Sequence, residues 1–287
     1  MSKSYLSIIV FSLVTMTAFS QVQISTDVTG SISDGLFGTS VAISADGKTF
    51  VAGAPSDMNS TEAGQVKVYH MDVNRNWSLK GLAISGANPG DLFGQSVDIS
   101  ADGNRIAVGA MHDDVGNDDP ADNRGSVKVF EFANGLWTQV GQTLVGDEMQ
   151  DWNGASVSLS DDGLVVAIAA PMSDHSASNG GSVRVFGDRD GVWLQAGDDI
   201  VGEYANLFLG TSVDLSSSGQ SIAIGMPGFD GAGTDRGAVR VYDLAFGNWT
   251  SKGAGMAGQF DGDMMGSAVS LSSDGKRVAC GASQYDD

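Results

Sequence analysis

Five glycines recur along this chain at near-constant spacing: Gly38, Gly94, Gly154, Gly210 and Gly266, separated by 56, 60, 56 and 56 residues. Each stands in a similar segment, FGTSVAISADG at 37–47, FGQSVDISADG at 93–103, NGASVSLSDDG at 153–163, LGTSVDLSSSG at 209–219 and MGSAVSLSSDG at 265–275. Such a period restricts the chain to an array of like units, each burying its apolar face on a neighbour. The units are expected near 34–90, 91–150, 151–206, 207–262 and 263–287, the last incomplete.

Every unit carries four apolar segments. The first alternates, as in Ser96-Val97-Asp98-Ile99, so Val97 and Ile99 share one face and Asp98 takes the other. The middle residue varies among Ala42, Asp98, Ser158, Asp214 and Ser270. Asp46-Gly47 or Asp102-Gly103 then signals a hairpin. The second segment is rich in Ala and Gly, as in Ile106-Ala107-Val108-Gly109-Ala110, and reads as a strand buried on both faces near a central axis. The third sets one cation between two valines: Lys67, Lys128, Arg184 and Arg240, expected to form structural ion pairs. The fourth begins at Trp77, Trp137, Trp193 or Trp249, which follow their glycines by 39, 43, 39 and 39 residues. A tryptophan at a fixed place in each copy is expected to pack between units.

Four short strands per unit and no helical periodicity give an all-β fold, a β-propeller of four-stranded antiparallel blades. The single cysteine, Cys280, allows no intrachain disulfide, so the fold must rest on its core. The formal net charge of −20 argues against nucleic acid and anionic membranes as partners. Residues 1–20 combine Lys3, an apolar stretch from Leu6 to Phe19, and small residues Ala18 and Ser20 at −3 and −1 of a cleavage site before Gln21. They read as a secretory signal peptide, which leaves 21–287 as the propeller and a secreted, extracellular or cell-surface location.

Phe37-Gly38 followed by Gly53-Ala54-Pro55 resembles the FG-GAP repeat, the blade unit of integrin α-subunit propellers and of many secreted bacterial and algal proteins. The resemblance implies a seven-bladed propeller, of which the five units here would be a truncated part, and adhesion or ligand binding without chemistry of its own. It also implies a calcium loop with oxygen ligands at positions 1, 3, 5 and 9. The best counterpart, Asp98, Ser100 and Asp102, is followed at position 9 by Ile106, and that position is apolar in the other copies too. No cofactor is therefore expected, with calcium as the alternative.

No catalytic constellation stands out. His70, His112 and His175 do not repeat in register, and no serine lies in a nucleophile motif. The loop 112–123 is long and acidic, and Asp113, Asp114, Asp118, Asp119 and Asp122 are its candidate cation ligands, although their spacing fits no named metal motif. The expected function is a non-catalytic module binding an extracellular protein or glycan through variable loops. The alternatives are an accessory propeller of a longer secreted enzyme, or a glycan-active hydrolase or lyase.

Overall fold

A computed structural model describes residues 23, 25–30, 35–56, 63–115 and 122–284. The leader segment, Asp118 and Asp119 lie outside the described residues.

The first unit holds five antiparallel strands, β1 (Val41–Ile43), β2 (Thr49–Ala54), β3 (Gln65–Met71), β4 (Trp77–Leu79) and β5 (Ile84–Ser85). They are ordered β1-β2-β3-β4, with β5 also on β3. β4 and β5 divide the outer edge of β3, one pairing at Tyr69–Met71 and the other at Gln65–Val66. They are one fourth strand broken at Gly81, whose φ of 81° ends the extended backbone. The next three units repeat this sheet, broken at Gly141, Gly197 and Gly253, also at positive φ. The fifth unit contributes a two-stranded sheet, Met265–Leu271 with Val278–Ala282. The described residues form no helix. This is the propeller architecture, its described blades following one another in chain order.

The first strands of successive blades lie side by side while the fourth strands fan outward, so the hub is made of first strands. The Ala- and Gly-rich second strands, expected near the axis, stand one position further out. Their burial on both faces holds: Ile106, Ala107, Val108, Val166, Ile222 and Ile224 are fully enclosed. Three clusters fill the spaces between blades, such as Val51, Val66 and Val68 of the first blade against Val97, Ile99 and Val108 of the second. Val97 and Ile99 are 8% and 6% exposed, whereas their first-blade counterparts Val41 and Ile43, with no described blade before them, are 66% and 60% exposed.

The two halves of the repeated motif meet across this boundary. Within a blade, the anchor glycine donates to the second strand, Gly94 N to Gly109 O at 2.9 Å. Its carbonyl faces backward and accepts from the preceding blade's serine: Ser40 Oγ to Gly94 O (2.8 Å), Ser96 Oγ to Gly154 O (2.7 Å) and Ser212 Oγ to Gly266 O (2.8 Å). A Cβ on Gly53, Gly109 or Gly225 would overlap that same carbonyl. The third blade has Ala169 there, and its serine, Ser156, instead accepts from Val213 N at 3.2 Å. Gly109→Ala is accordingly expected to force the same exchange of bonds and to cost about 1–3 kcal/mol in denaturant unfolding, the usual range for overpacking. Unchanged stability would show that the blades are not held this close.

Each hairpin between first and second strands satisfies itself. Asp102 Oδ1 accepts from Ser100 Oγ (2.6 Å) and Asn104 N (2.9 Å), and Gly103 takes φ +70°. The hub strands then hold one another through the variable middle residues, which face away from the valines. Asp98 Oδ2 accepts from Leu159 N of the next blade (2.6 Å), Ser158 Oγ from Leu215 N (3.0 Å) and Asp214 Oδ2 from Leu271 N (2.6 Å). These groups supply acceptors for strand-edge N–H groups that have no strand to pair with.

Candidate functional site

The cations of the third strands face the segment that leads into their own blade. Lys67 Nζ stands 5.9 Å over the Phe37 ring and Lys128 Nζ 6.0 Å over Phe93. Arg184, in the third blade, donates to Asp147 Oδ1 (2.8 Å), Val145 O (2.7 Å) and Asn153 Oδ1 (3.0 Å). The expected structural ion pair is thus seen at Arg184, while two lysines use the aromatic face instead. The partner in each case is the residue just before the anchor glycine: Phe37, Phe93 or Asn153.

In the fourth blade that residue is Leu209, which offers neither a ring nor an acceptor. Arg240 is half-buried there and makes no hydrogen bond or ion pair with the described residues. A second departure sits beside it. In three other connectors a buried aspartate clamps the loop: Asp91 accepts from Asn88 N (3.1 Å), Asp151 from Glu148 N (3.0 Å), and Asp263 from Gln259 N and Phe260 N (2.9 Å each). Here the equivalent is Leu207, 6% exposed. The loop keeps the backbone bond to the preceding blade that other connectors make, Asn206 N to Ser178 O (2.8 Å), and adds Asn179 Nδ2 to Asn206 Oδ1 (3.1 Å).

Open space lies beside both leucines. A cavity of about 360 Å³ opens between the third-blade edge and the outer strands of the fourth blade, bordered by Asp198, Asp199, Glu203, Arg240, Tyr242 and Trp249. A second, about 320 Å³, adjoins it and shares Tyr204, Leu207 and Phe229. One blade earlier the same place is filled. Trp193 is 2% exposed and its strand is gripped by Gln142, through Nε2 to Trp193 O (2.7 Å) and Trp193 N to Oε1 (3.1 Å). Gln142 becomes Asp198, which reaches the amide of Asn248 at 3.2 Å, and Trp249 is left half-buried. Its indole still donates to the preceding blade, to Ala196 O at 2.8 Å, as Trp137 does to Lys80 O and Trp193 to Val140 O. The site therefore combines an unpaired guanidinium, three carboxylates and several aromatic rings on a rigid strand frame.

The aspartates of the acidic loop serve the loop itself. Asp113 accepts from Ser126 Oγ (2.5 Å) and Val115 N (2.8 Å), Asp114 from Asn123 N (3.1 Å), and Asp122 from Arg124 Nε (3.3 Å). Among the described residues no three metal-ligating side chains converge. Neighbouring Asp91 is pushed up to about 6 by burial, with Asp113 and Asp114 adding negative charge. The hairpin corresponding to the family's calcium loop does not fit that ion: Asp98 is committed to Leu159 N, Asp102 to its own turn, and Ile106 is fully buried in the core.

Residues 80–130 match the model of the FG-GAP repeat. No curated protein matches the chain. Among solved structures it is similar to hydrazine synthase of Kuenenia stuttgartiensis, at 16% identity and a TM-score of 0.52, covering 91% of this chain and 58% of that one. It is also similar to the periplasmic gluconolactonase of Pseudomonas aeruginosa, at 16% identity and a TM-score of 0.56, covering 85% and 64%. The likeness is one of fold, and the chain spans less than two thirds of either structure.

Proposed function

We propose that this propeller, in which residues 80–130 match the FG-GAP repeat, is a non-catalytic extracellular binding module whose contact site is the cavity between its third and fourth blades. One observation carries this reading. Among the described residues, a cation that is partnered in three copies of the repeat makes no hydrogen bond or ion pair in the fourth, beside an open cavity. Arg240 is half-buried and open to solvent, and a ligand that replaces its water makes hydrogen bonds to a charged group, worth about 1.5–3 kcal/mol each. The leader-like residues 1–20 support an extracellular location.

The test is retention of matrix proteins and polysaccharides on the immobilised chain, beside Arg240→Ala, with chromatography of everything retained. Retention should fall at least tenfold in the variant, and the retained compounds should be recovered intact. Release of a cleaved or isomerised product would overturn the non-catalytic reading. Equal retention by the two proteins would remove the cavity as the site.

A further inference from the structure

Resting on that reading, we infer that the ligand is a neutral glycan chain, seated with one pyranose ring in each of the two adjoining cavities. The first argument is charge. Asp198, Asp199 and Glu203 against Arg240 give the lining three negative charges and one positive, a net −2, within a chain of formal net charge −20. That field opposes uronates, sulfates and phosphates, although a guanidinium alone would welcome them.

The second argument is hydrogen bonding. Arg240 brings N–H donors and no acceptor, and the carboxylates bring acceptors and no donor. A sugar hydroxyl does both at one atom, so neighbouring hydroxyls on one ring satisfy both kinds of group. A hydrocarbon would strip water from Arg240 and return nothing.

The third argument is surface. The indole of Trp249 and the ring of Tyr242 border the same cavity, and flat aromatic faces suit the C–H face of a pyranose. The two volumes, about 360 and 320 Å³, lie at the small end of ligand sites, roughly 300–1,000 Å³, and suit one ring each. Tyr204, 63% exposed, borders both cavities, so a chain can cross it without leaving the groove.

The experiment is titration of the whole chain with neutral hexasaccharides (β-1,4-glucan, α-1,4-glucan, β-1,4-mannan and β-1,4-xylan), with hexagalacturonate, and with uncharged hexapeptides, read by calorimetry and tryptophan fluorescence. At least one neutral hexasaccharide should bind at a stoichiometry of one. Its affinity should drop at least tenfold in Arg240→Ala and Tyr204→Ala. It should drop likewise in Leu209→Asn, which rebuilds the third-blade pairing of Asn153 with Arg184 and draws the guanidinium out of the cavity. Melting temperatures of the variants identify any loss due to unfolding, and Leu209→Asn, which removes an apolar side chain 1% exposed in the core, is expected to lower the melting temperature while the chain stays folded at the titration temperature. Tighter binding of hexagalacturonate than of every neutral chain overturns the inference, and so does sugar binding that all three variants leave unchanged. Arg240-dependent binding of a peptide alone removes the glycan and leaves the binding reading standing. Absence of any Arg240-dependent ligand, including the matrix proteins above, removes both.

Discussion

Trp193→Ala is expected to lower the unfolding free energy by about 3–5 kcal/mol, and Trp249→Ala by roughly half as much. The two residues are repeats of each other, and their indoles make the same bond to the preceding blade, at 2.9 and 2.8 Å. What differs is the surroundings. Trp193 is 2% exposed and belongs to a cluster with Val127, Leu144 and Val166, so its removal leaves a void that packed strands fill poorly. Trp249 already borders open space, and cutting it back enlarges a cavity that water can enter. Denaturant titration of both variants followed by circular dichroism makes the comparison. Equal losses would mean that the cavity beside Trp249 is closed in solution, which would also count against the binding site placed there.

The second large effect depends on pH. Burial pushes the Asp98 carboxyl up to about 6, with the charge of Asp214 adding to the rise and the N–H groups of Leu159 and Ile99 opposing it. The folded chain therefore holds this proton more tightly than the unfolded chain. The stability that protonation confers is fully present below about pH 4 and is lost as pH climbs through 6. Asp98→Asn keeps an oxygen for Leu159 N and carries no charge at any pH. Relative to the parent, it should gain about 2–3 kcal/mol as pH rises from 4 to 8, at about 1.4 kcal/mol per unit between the two pKa values. Asp91 also titrates near 6, but it is present in both proteins and cancels in the difference. Stability curves that run parallel from pH 4 to 8 would show that Asp98 is not desolvated at the hub.

Much of this architecture is legible in the sequence because it is written several times. Alternation around Val97 and Ile99 gives the first strands, though not their place at the hub, which the Ala- and Gly-rich second strands were expected to take; the Asp-Gly turns give the hairpins, and the spacing of Trp137 and Trp193 gives the inter-blade packing. Two features escape a reading of periodicity. The split of the fourth strand depends on the backbone angle of Gly81 and its counterparts, which a glycine permits but does not announce. The role of Asp98, Ser158 and Asp214 depends on which neighbour lies across the hub, and alternation reports only that they face away from the valines. The site was missed for the opposite reason. Repeats draw attention to what recurs, whereas the cavity is lined by what fails to recur, Leu207 in place of aspartate and Leu209 in place of Phe or Asn. Both departures stand out when the copies are aligned column by column, but the space beside them does not.

The turns at the hub are joined by backbone hydrogen bonds at equivalent residues: Ala45 N to Ala101 O, Ala101 N to Asp161 O, Asp161 N to Ser217 O and Ser217 N to Ser273 O, at 2.8–3.0 Å. All run the same way along the chain, as the serine–carbonyl contacts do. Each unit thus carries a plug at one side and the matching socket at the other. Duplicating the encoding segment yields a new junction already fitted on both sides, with no further substitution required. One junction is then free to diverge while its sisters keep the array in register, and the leucines of the fourth copy are such a divergence. In a protein assembled this way, recognition is acquired by spoiling a single seam, and the untouched seams carry the load.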